Sequence, residues 1–353
     1  MRAESLKFLS GMIEVPSPSG YEERVQSYIA DYVRRFADKV ERDVHGNLTA
    51  IRQPQGRPRV MLAGHCDEIG LLVKYITDEG MIHVAAVGGV DASIIPGRRV
   101  HIHTERGPVL GVVGVKAIHL KPRDKTQKVE LDDLTVDIGV SSRKEAEKLV
   151  SIGDPITYAE GLQVLHGEVV TSRATDDKVG AFVVMETLRL LKGRRFSAAV
   201  YAVSTVQEEI GLRGATTSAF RVRPEVGIAV DVCHASDQPG VEKKQVGEVK
   251  LGKGPVLHRG ANINPVLGRL MVEVAKKKRI PYQMTAEARA TGTDANVMQL
   301  SREGVATALV SIPNRYMHSP VEVVSLKDLE NAARLLAEVV VALKPEMSFI
   351  PGS

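Results

Sequence analysis

Apolar positions early in the chain recur first with helical and then with strand spacing. Val25, Ile29, Val33 and Phe36 form one stripe of a helix, and Ser19-Gly20-Tyr21-Glu22 ahead of them has the form of a capping box, so a helix is predicted to open there. Gly46-Asn47 marks a turn, and Arg59-Val60-Met61-Leu62-Ala63 predicts a buried strand ending at Gly64-His65. From about Ile69 to about Leu165 the texture changes to short β runs split by the turn signals Asp78-Glu79-Gly80, Pro96-Gly97 and Glu105-Arg106-Gly107. Val100-His101-Ile102-His103 alternates, Val109 to Val115 is a further strand, and one helix follows Ser142, with Glu145 completing a second capping box. From about Gly167 helices and strands alternate again. Phe182 to Leu191 is an amphipathic helix, Ala198 to Val206 and Val226 to Val232 are apolar strands, and a helix surrounds Val266 to Lys277. Val305 to Ile312 is another strand, and the last helix runs from Ser325, with Asp328 three residues on, to about Leu343.

Buried strands alternating with helices imply an α/β fold with a mixed, mostly parallel sheet flanked by helices. The β-rich block reads as an insertion. The expected division is an α/β domain of residues 1–68 and 166–353 and an inserted β-rich domain of residues 69–165.

Composition narrows the setting. The 353 residues are 43% hydrophobic and 25% charged, as in a globular chain. The net charge of +4 is too small over this length to argue for nucleic acid, and the longest basic run, Lys276-Lys277-Lys278, reads as a solvated helix face. Cys66 and Cys233 make no disulfide framework and suit a reducing compartment. The N-terminus lacks a leader pattern, and no apolar stretch reaches the ~20 residues needed to span a bilayer. The expectation is a soluble, cytoplasmic protein without nucleic-acid or membrane partners.

Candidate chemistry gathers at strand ends, where active sites of open α/β sheets collect. In Gly64-His65-Cys66-Asp67-Glu68 the two-residue step puts His65 and Asp67 on one side, with Asp67 able to hold the ring. Asp176-Asp177-Lys178 precedes a helix. Glu208-Glu209 follows directly on an apolar run, so one carboxylate can bind a metal while the other faces a reacting water. Asp231 lies inside or at the end of a buried strand, and His318 lies in Tyr316-Met317-His318-Ser319-Pro320. Singly, each is also what a polar loop, helix start or turn offers. Together, two His and several carboxylates without a paired-Cys motif match a site of mixed nitrogen and oxygen ligands, with enough acids to bridge two ions.

The ordered set Gly64-His65-Cys66-Asp67-Glu68-Ile69-Gly70, Asp176-Asp177-Lys178, Glu208-Glu209-Ile210-Gly211, Asp231, Gly292-Thr293-Asp294-Ala295 and Arg315-Tyr316-Met317-His318-Ser319-Pro320 resembles the tetrahedral (TET) aminopeptidases, metallopeptidase family forty-two, over essentially the whole chain. The resemblance implies a zinc-peptidase-like α/β host with a β-barrel or PDZ-like dimerisation insert. It implies two divalent ions per subunit, zinc or cobalt, with manganese compatible with the same ligands. Asp176 would bridge them, His65 and Asp231 would complete one site, and Glu209 and His318 the other. Glu208 would be the general base and acid, Asp67 the partner of His65, and the Asp176-Asp177 peptide would be cis. His258, Gly292, Thr293 and Asp294 would edge the substrate pocket. The substrates would be short peptides cut one residue at a time, and dimers would assemble into a hollow tetrahedral dodecamer. Cys66, the one local departure, is expected to point away from the ligands, and His101 and His103 to be exposed strand residues.

Three other readings stay open on the sequence. A deacylase or carboxypeptidase would use the same two-metal scaffold with another pocket. A glycoside hydrolase, the activity implied by the cellulase label of some similar proteins, needs two carboxylates at a sugar cleft and generally no metal. A non-catalytic metal-binding protein would have no use for Glu208 as a base.

Overall fold

The run Arg59–His65 lies near the centre of an eight-stranded mixed sheet in the computed structural model, which describes residues 1–120 and 128–352. The strand order is Lys39–Arg42, Leu48–Arg52, Ala199–Thr205, Arg59–His65, Val226–His234, Ala306–Asn314, Val256–Gly260 and Gln283–Glu287. The four central strands from Ala199–Thr205 to Ala306–Asn314 are mutually parallel. They are nearly continuous apolar runs because helices deny both faces to water. Ala3–Glu14, Glu23–Val33, Thr175–Leu191 and Leu326–Ala342 pack as one helical layer. Arg213–Val222 and Asp294–Gln299 pair with each other against the sheet.

One close approach fixes how the helical layer meets the central strand. Gly64 meets the Thr175–Leu191 helix so tightly that a β-carbon there would stand 2.5 Å from the Gly180 carbonyl carbon. The C-terminal end of the central strand and the start of this helix are thereby brought together, and both carry candidate ligands.

The β-rich block closes on itself. Gly70–Ile76, Ile82–Val87, Thr135–Asp137, Gly107–Val113, Arg99–Thr104 and Pro155–Tyr158 form a six-stranded barrel, antiparallel throughout. Closure removes the open edges that a small sheet would otherwise expose. The barrel has its own apolar core, including Leu71, Val84, Ile102, Val136 and Ile156. The helix after Ser142 is a single turn, Arg143–Ala146, capped by Ser142 as predicted. His101 and His103 correct the expectation of exposure: both are half-buried, and His103 Nε2 lies 2.8 Å from Thr157 Oγ1.

A third, small sheet matters for the site. Gln163–His166, Val169–Ser172 and Glu322–Ser325 pair antiparallel, with Ser172 opposite Glu322. That register sets the segment before Asp176 beside the segment after His318.

Candidate active site

The candidate ligands gather around the C-terminal end of the central strands. His65 is the last residue of its strand and is 2% exposed. Its Nε2 points at Asp176, 3.3 Å from Oδ1, and at Glu208, 3.7 Å from Oε2. Its Nδ1 faces Asp67, 3.1 Å from the carbonyl oxygen and 3.4 Å from Oδ1. Asp67 also accepts the backbone N–H groups of Glu208 (3.1 Å) and Glu209 (3.2 Å) and the hydroxyl of Ser19 (2.6 Å). One buried carboxylate thus fixes both a ring and the backbone that aims two acids.

Asp176 reaches a second ring: His318 Nε2 is 3.2 Å from its Oδ2 and 3.5 Å from Glu209 Oε2. His318 is held at φ 60°, a region unusual for a residue with a β-carbon. Glu322 accepts its N–H at 2.9 Å, and the barrel's Gly89 carbonyl lies 2.9 Å from its Nδ1. Asp231, inside the strand Val226–His234, keeps Oδ1 on the Val232 N–H at 2.7 Å. The Asp176-Asp177 peptide is cis. Potential ligand atoms of His65, Asp176 and Glu209 all lie within 4.8 Å of one another, and so do those of His65, Asp177 and Asp231. Asp177 accepts the N–H groups of Gly180 (3.0 Å) and His65 (3.3 Å).

The electrostatics are those of crowded acids out of water. Burial raises the Glu208 carboxyl to about 10, with Asp231 and Asp294 adding to the effect against His65. Burial and then the charge of Asp176 raise Glu209 to about 8, and Asp231 rises to about 8 with His65 opposing. His318, hydrogen-bonded to Asp176, is raised to about 10. Such a cluster needs compensating positive charge. Among the described residues buried Glu209 Oε1 has no hydrogen-bond partner, which leaves that oxygen available as a ligand. Two imidazoles with converging carboxylates are the donors that borderline divalent ions take, so the residues fit such ions.

A cavity of about 700 Å³ opens beside the cluster. His65, Asp176, Glu208, Glu209, Asp231 and His318 line one end. Of the substrate-edge candidates, His258, Gly292 and Thr293 line it too. Asp294 instead is buried below them, accepting the Thr205 hydroxyl at 2.6 Å. Cys66 is buried in the main core, away from the cavity lining, whereas Cys233 contributes to the wall.

Behind the site, Glu68 accepts from Arg173 Nη1, from Lys178 Nζ at 2.7 Å and from the Ser17 N–H at 3.0 Å. Burial alone would raise this carboxyl, but Arg173 and Lys178 outweigh it and hold it at about 2. Burial draws Lys178 down to about 8 even with Glu68 opposite.

Sequence reasoning missed four supports. Ser19 and Glu22 do not make the predicted capping box. The Ser19 hydroxyl serves Asp67, and the Glu22 carboxylate accepts the N–H groups of Gly20 and of Gln207, the residue before Glu208. Glu322, whose signal is an acid opening the apolar run Val323-Val324, accepts Asp176 N–H and Thr175 Oγ1, both at 2.9 Å. Gly89 acts through its backbone and leaves no side-chain signal.

Residues 46–335 match the family described as M42 glutamyl aminopeptidase. A lysyl aminopeptidase of Pyrococcus furiosus is 42% identical over 98% of this chain and 99% of its own. The crystal structure of a TET aminopeptidase from a marine-sediment archaeon of the Thaumarchaeota superposes with a TM-score of 0.92 at 37% identity, covering 97% of each chain. The TET1 peptidase of Pyrococcus horikoshii, which can assemble into a tetrahedron or a large octahedral shell, superposes at 0.86 with 33% identity, over 96% of this chain and 100% of that one.

Proposed function

The chain belongs to the M42 family of aminopeptidases, and we propose that it releases the first residue of short peptides at a centre of two divalent ions. One observation supports this reading above the others: Asp176 stands between two imidazoles, 3.3 Å from His65 and 3.2 Å from His318. A carboxylate so placed would be shared by the two ion sites. In this assignment His65 and Asp231 complete one site and Glu209 and His318 the other. Zinc and cobalt suit these ligands, and manganese shares them.

The ions, when bound, supply positive charge that lowers the pKa of an attacking water and polarises the scissile carbonyl. The chain's own groups do the rest. Glu208 takes a proton from the water and gives it to the leaving amine. Asp67 sets where Glu208 stands by holding its N–H, and keeps the His65 ring turned so that Nε2 faces the centre. The free N-terminus would be held at this end of the cavity, beside the second ion site, which limits the cut to one residue. Residues 69–165 are assigned to dimerisation, and the dimer to a larger closed shell of the kind the Pyrococcus horikoshii peptidase forms. No helix among the described residues is long and apolar enough to cross a membrane, and the cytoplasm is the proposed compartment.

The test is to strip the protein with a chelator, reload it with zinc, cobalt or manganese, and offer free and N-blocked aminoacyl chromogenic substrates. Metal-restored cleavage of the free-amine set alone supports the reading. Cleavage of blocked substrates moves it to a deacylase or carboxypeptidase. Chelator-resistant cleavage of a β-glucan moves it to a glycoside hydrolase.

A further inference from the structure

The cavity beyond the ligands carries one surplus charge. Of the described residues that line it, none is Lys or Arg. Arg259, next to His258 in sequence, lines a different cavity with Arg269 and Lys276. The acids of the proposed centre, Asp176, Glu208, Glu209 and Asp231, match the charge of two divalent ions. Glu287 is a further carboxylate on the cavity wall, at the end of the edge strand Gln283–Glu287.

Glu287 is built in, not loosely hung. Its backbone pairs with Gly260 and accepts the Ala261 N–H at 3.0 Å. The approach is so close that a β-carbon on Gly260 would lie 1.8 Å from the Glu287 carbonyl oxygen. Its Oε1 lies 3.2 Å from His258 Nδ1, which also has Thr285 Oγ1 at 2.9 Å, while His258 Nε2 lies 2.8 Å from Ser311 Oγ. Nδ1–H can donate to Glu287 and Thr285 while Nε2 faces the Ser311 hydroxyl, so the ring braces the carboxylate from the sheet side. The hydrogen bond from His258 holds the Glu287 carboxyl below its usual range, against the effect of burial. Its Oε2 has no protein partner among the described residues, and the side chain is 35% exposed. Val232, Val246 and Leu309 line the same cavity and give aliphatic surface for a methylene stem.

Resting on the aminopeptidase reading, we infer that this cavity selects peptides whose first residue is basic, lysine or arginine, and that Glu287 is the specificity-determining carboxylate. The methylenes lie along the apolar wall and the cationic head meets Glu287 Oε2. A first-residue glutamate would face that carboxylate with no cation to receive it.

The experiment compares kcat/KM of the metal-reloaded enzyme on lysyl-, arginyl-, norleucyl- and glutamyl-p-nitroanilide. Norleucine keeps the stem of lysine without its charge. The wild type is expected to favour lysyl and arginyl over norleucyl by about tenfold or more, the size of one hydrogen bond to a charged group, with glutamyl last. Glu287→Gln should cut the lysyl-to-norleucyl ratio by a similar factor, and Glu287→Lys should bring glutamyl above lysyl. A ratio taken within one preparation is independent of the fraction folded. Fastest turnover on norleucine, or a ratio unmoved by Glu287→Gln, overturns this inference and leaves the aminopeptidase reading standing. Silence on every free-amine substrate overturns both.

Discussion

Glu322 holds Asp176 by the backbone: its Oε2 accepts the Asp176 N–H at 2.9 Å, while Oε1 accepts that of His318 at the same distance. One carboxylate therefore spaces two of the proposed ligands. Glu322→Gln must turn an NH₂ group towards one of these N–H donors. The cost of one unsatisfied buried donor is about 1–3 kcal/mol. We expect a lowered melting temperature and a weakened hold on the ion nearer His318, read as metal content after dialysis.

Glu208→Gln separates chemistry from ligation. The amide keeps the shape but can take no proton. General acid–base catalysis contributes roughly 10²–10⁴-fold. Turnover should fall by about that much while bound metal, measured by elemental analysis, stays at the wild-type level. An active variant removes Glu208 from the role of base.

Glu68 makes the stability depend on acid pH. Its carboxyl is held at about 2 against an ordinary 4.5, so the folded state favours the ionised form. Its contribution is present above about pH 4.5 and is lost as the pH falls towards 2. Lys178, at about 8, stays charged throughout that window. Melting temperatures of the wild type and Glu68→Gln, followed from pH 7 downwards, should converge as the medium becomes more acid than about pH 4.5. A constant gap would mean that the Glu68 charge is not what stabilises this cluster.

Gly64→Ala tests the approach of helix to strand. The new methyl would stand 2.5 Å from backbone, which cannot swing aside as a side chain can. Overpacking of this kind costs about 1–3 kcal/mol. Unfolding in denaturant should report that loss, with a further drop in activity because His65 is the next residue.

The parts that were legible in the sequence were those carried by local pattern. Arg59–His65, Val226–His234 and Ala306–Asn314 stand where the apolar runs put them, because a strand shielded on both faces has no polar side to disguise it. The polar residues that end those runs were legible for the same reason, as departures from an apolar surrounding. What failed was reading one local pattern as one local use. Ser19 and Glu22 have capping-box spacing, yet both are drawn to the centre, to Asp67 and to the Gln207 N–H. Ser325 and Asp328 mark the last helix correctly, but Asp328 accepts from Gly252 and Gly254 and Ser325 makes no side-chain cap. Alternation in Val100-His101-Ile102-His103 suggested a wet face, and the adjoining strand residue Thr157 takes up His103 instead. Glu322 and Gly89 depend on partners more than 100 residues away, a relation that spacing does not encode.

The hold of Gly89 on His318 sets an order of departure. His65 and Asp231 ride on central strands of the main sheet, whereas the His318 ring is 35% exposed and takes its orientation from a carbonyl of the barrel. A slight lifting of the barrel frees that ring without disturbing a single strand of the sheet. Of the two ions proposed, the one beside His318 would then be the more easily lost and the one beside His65 the better held, so a slow chelator titration is expected to empty the centre in two steps.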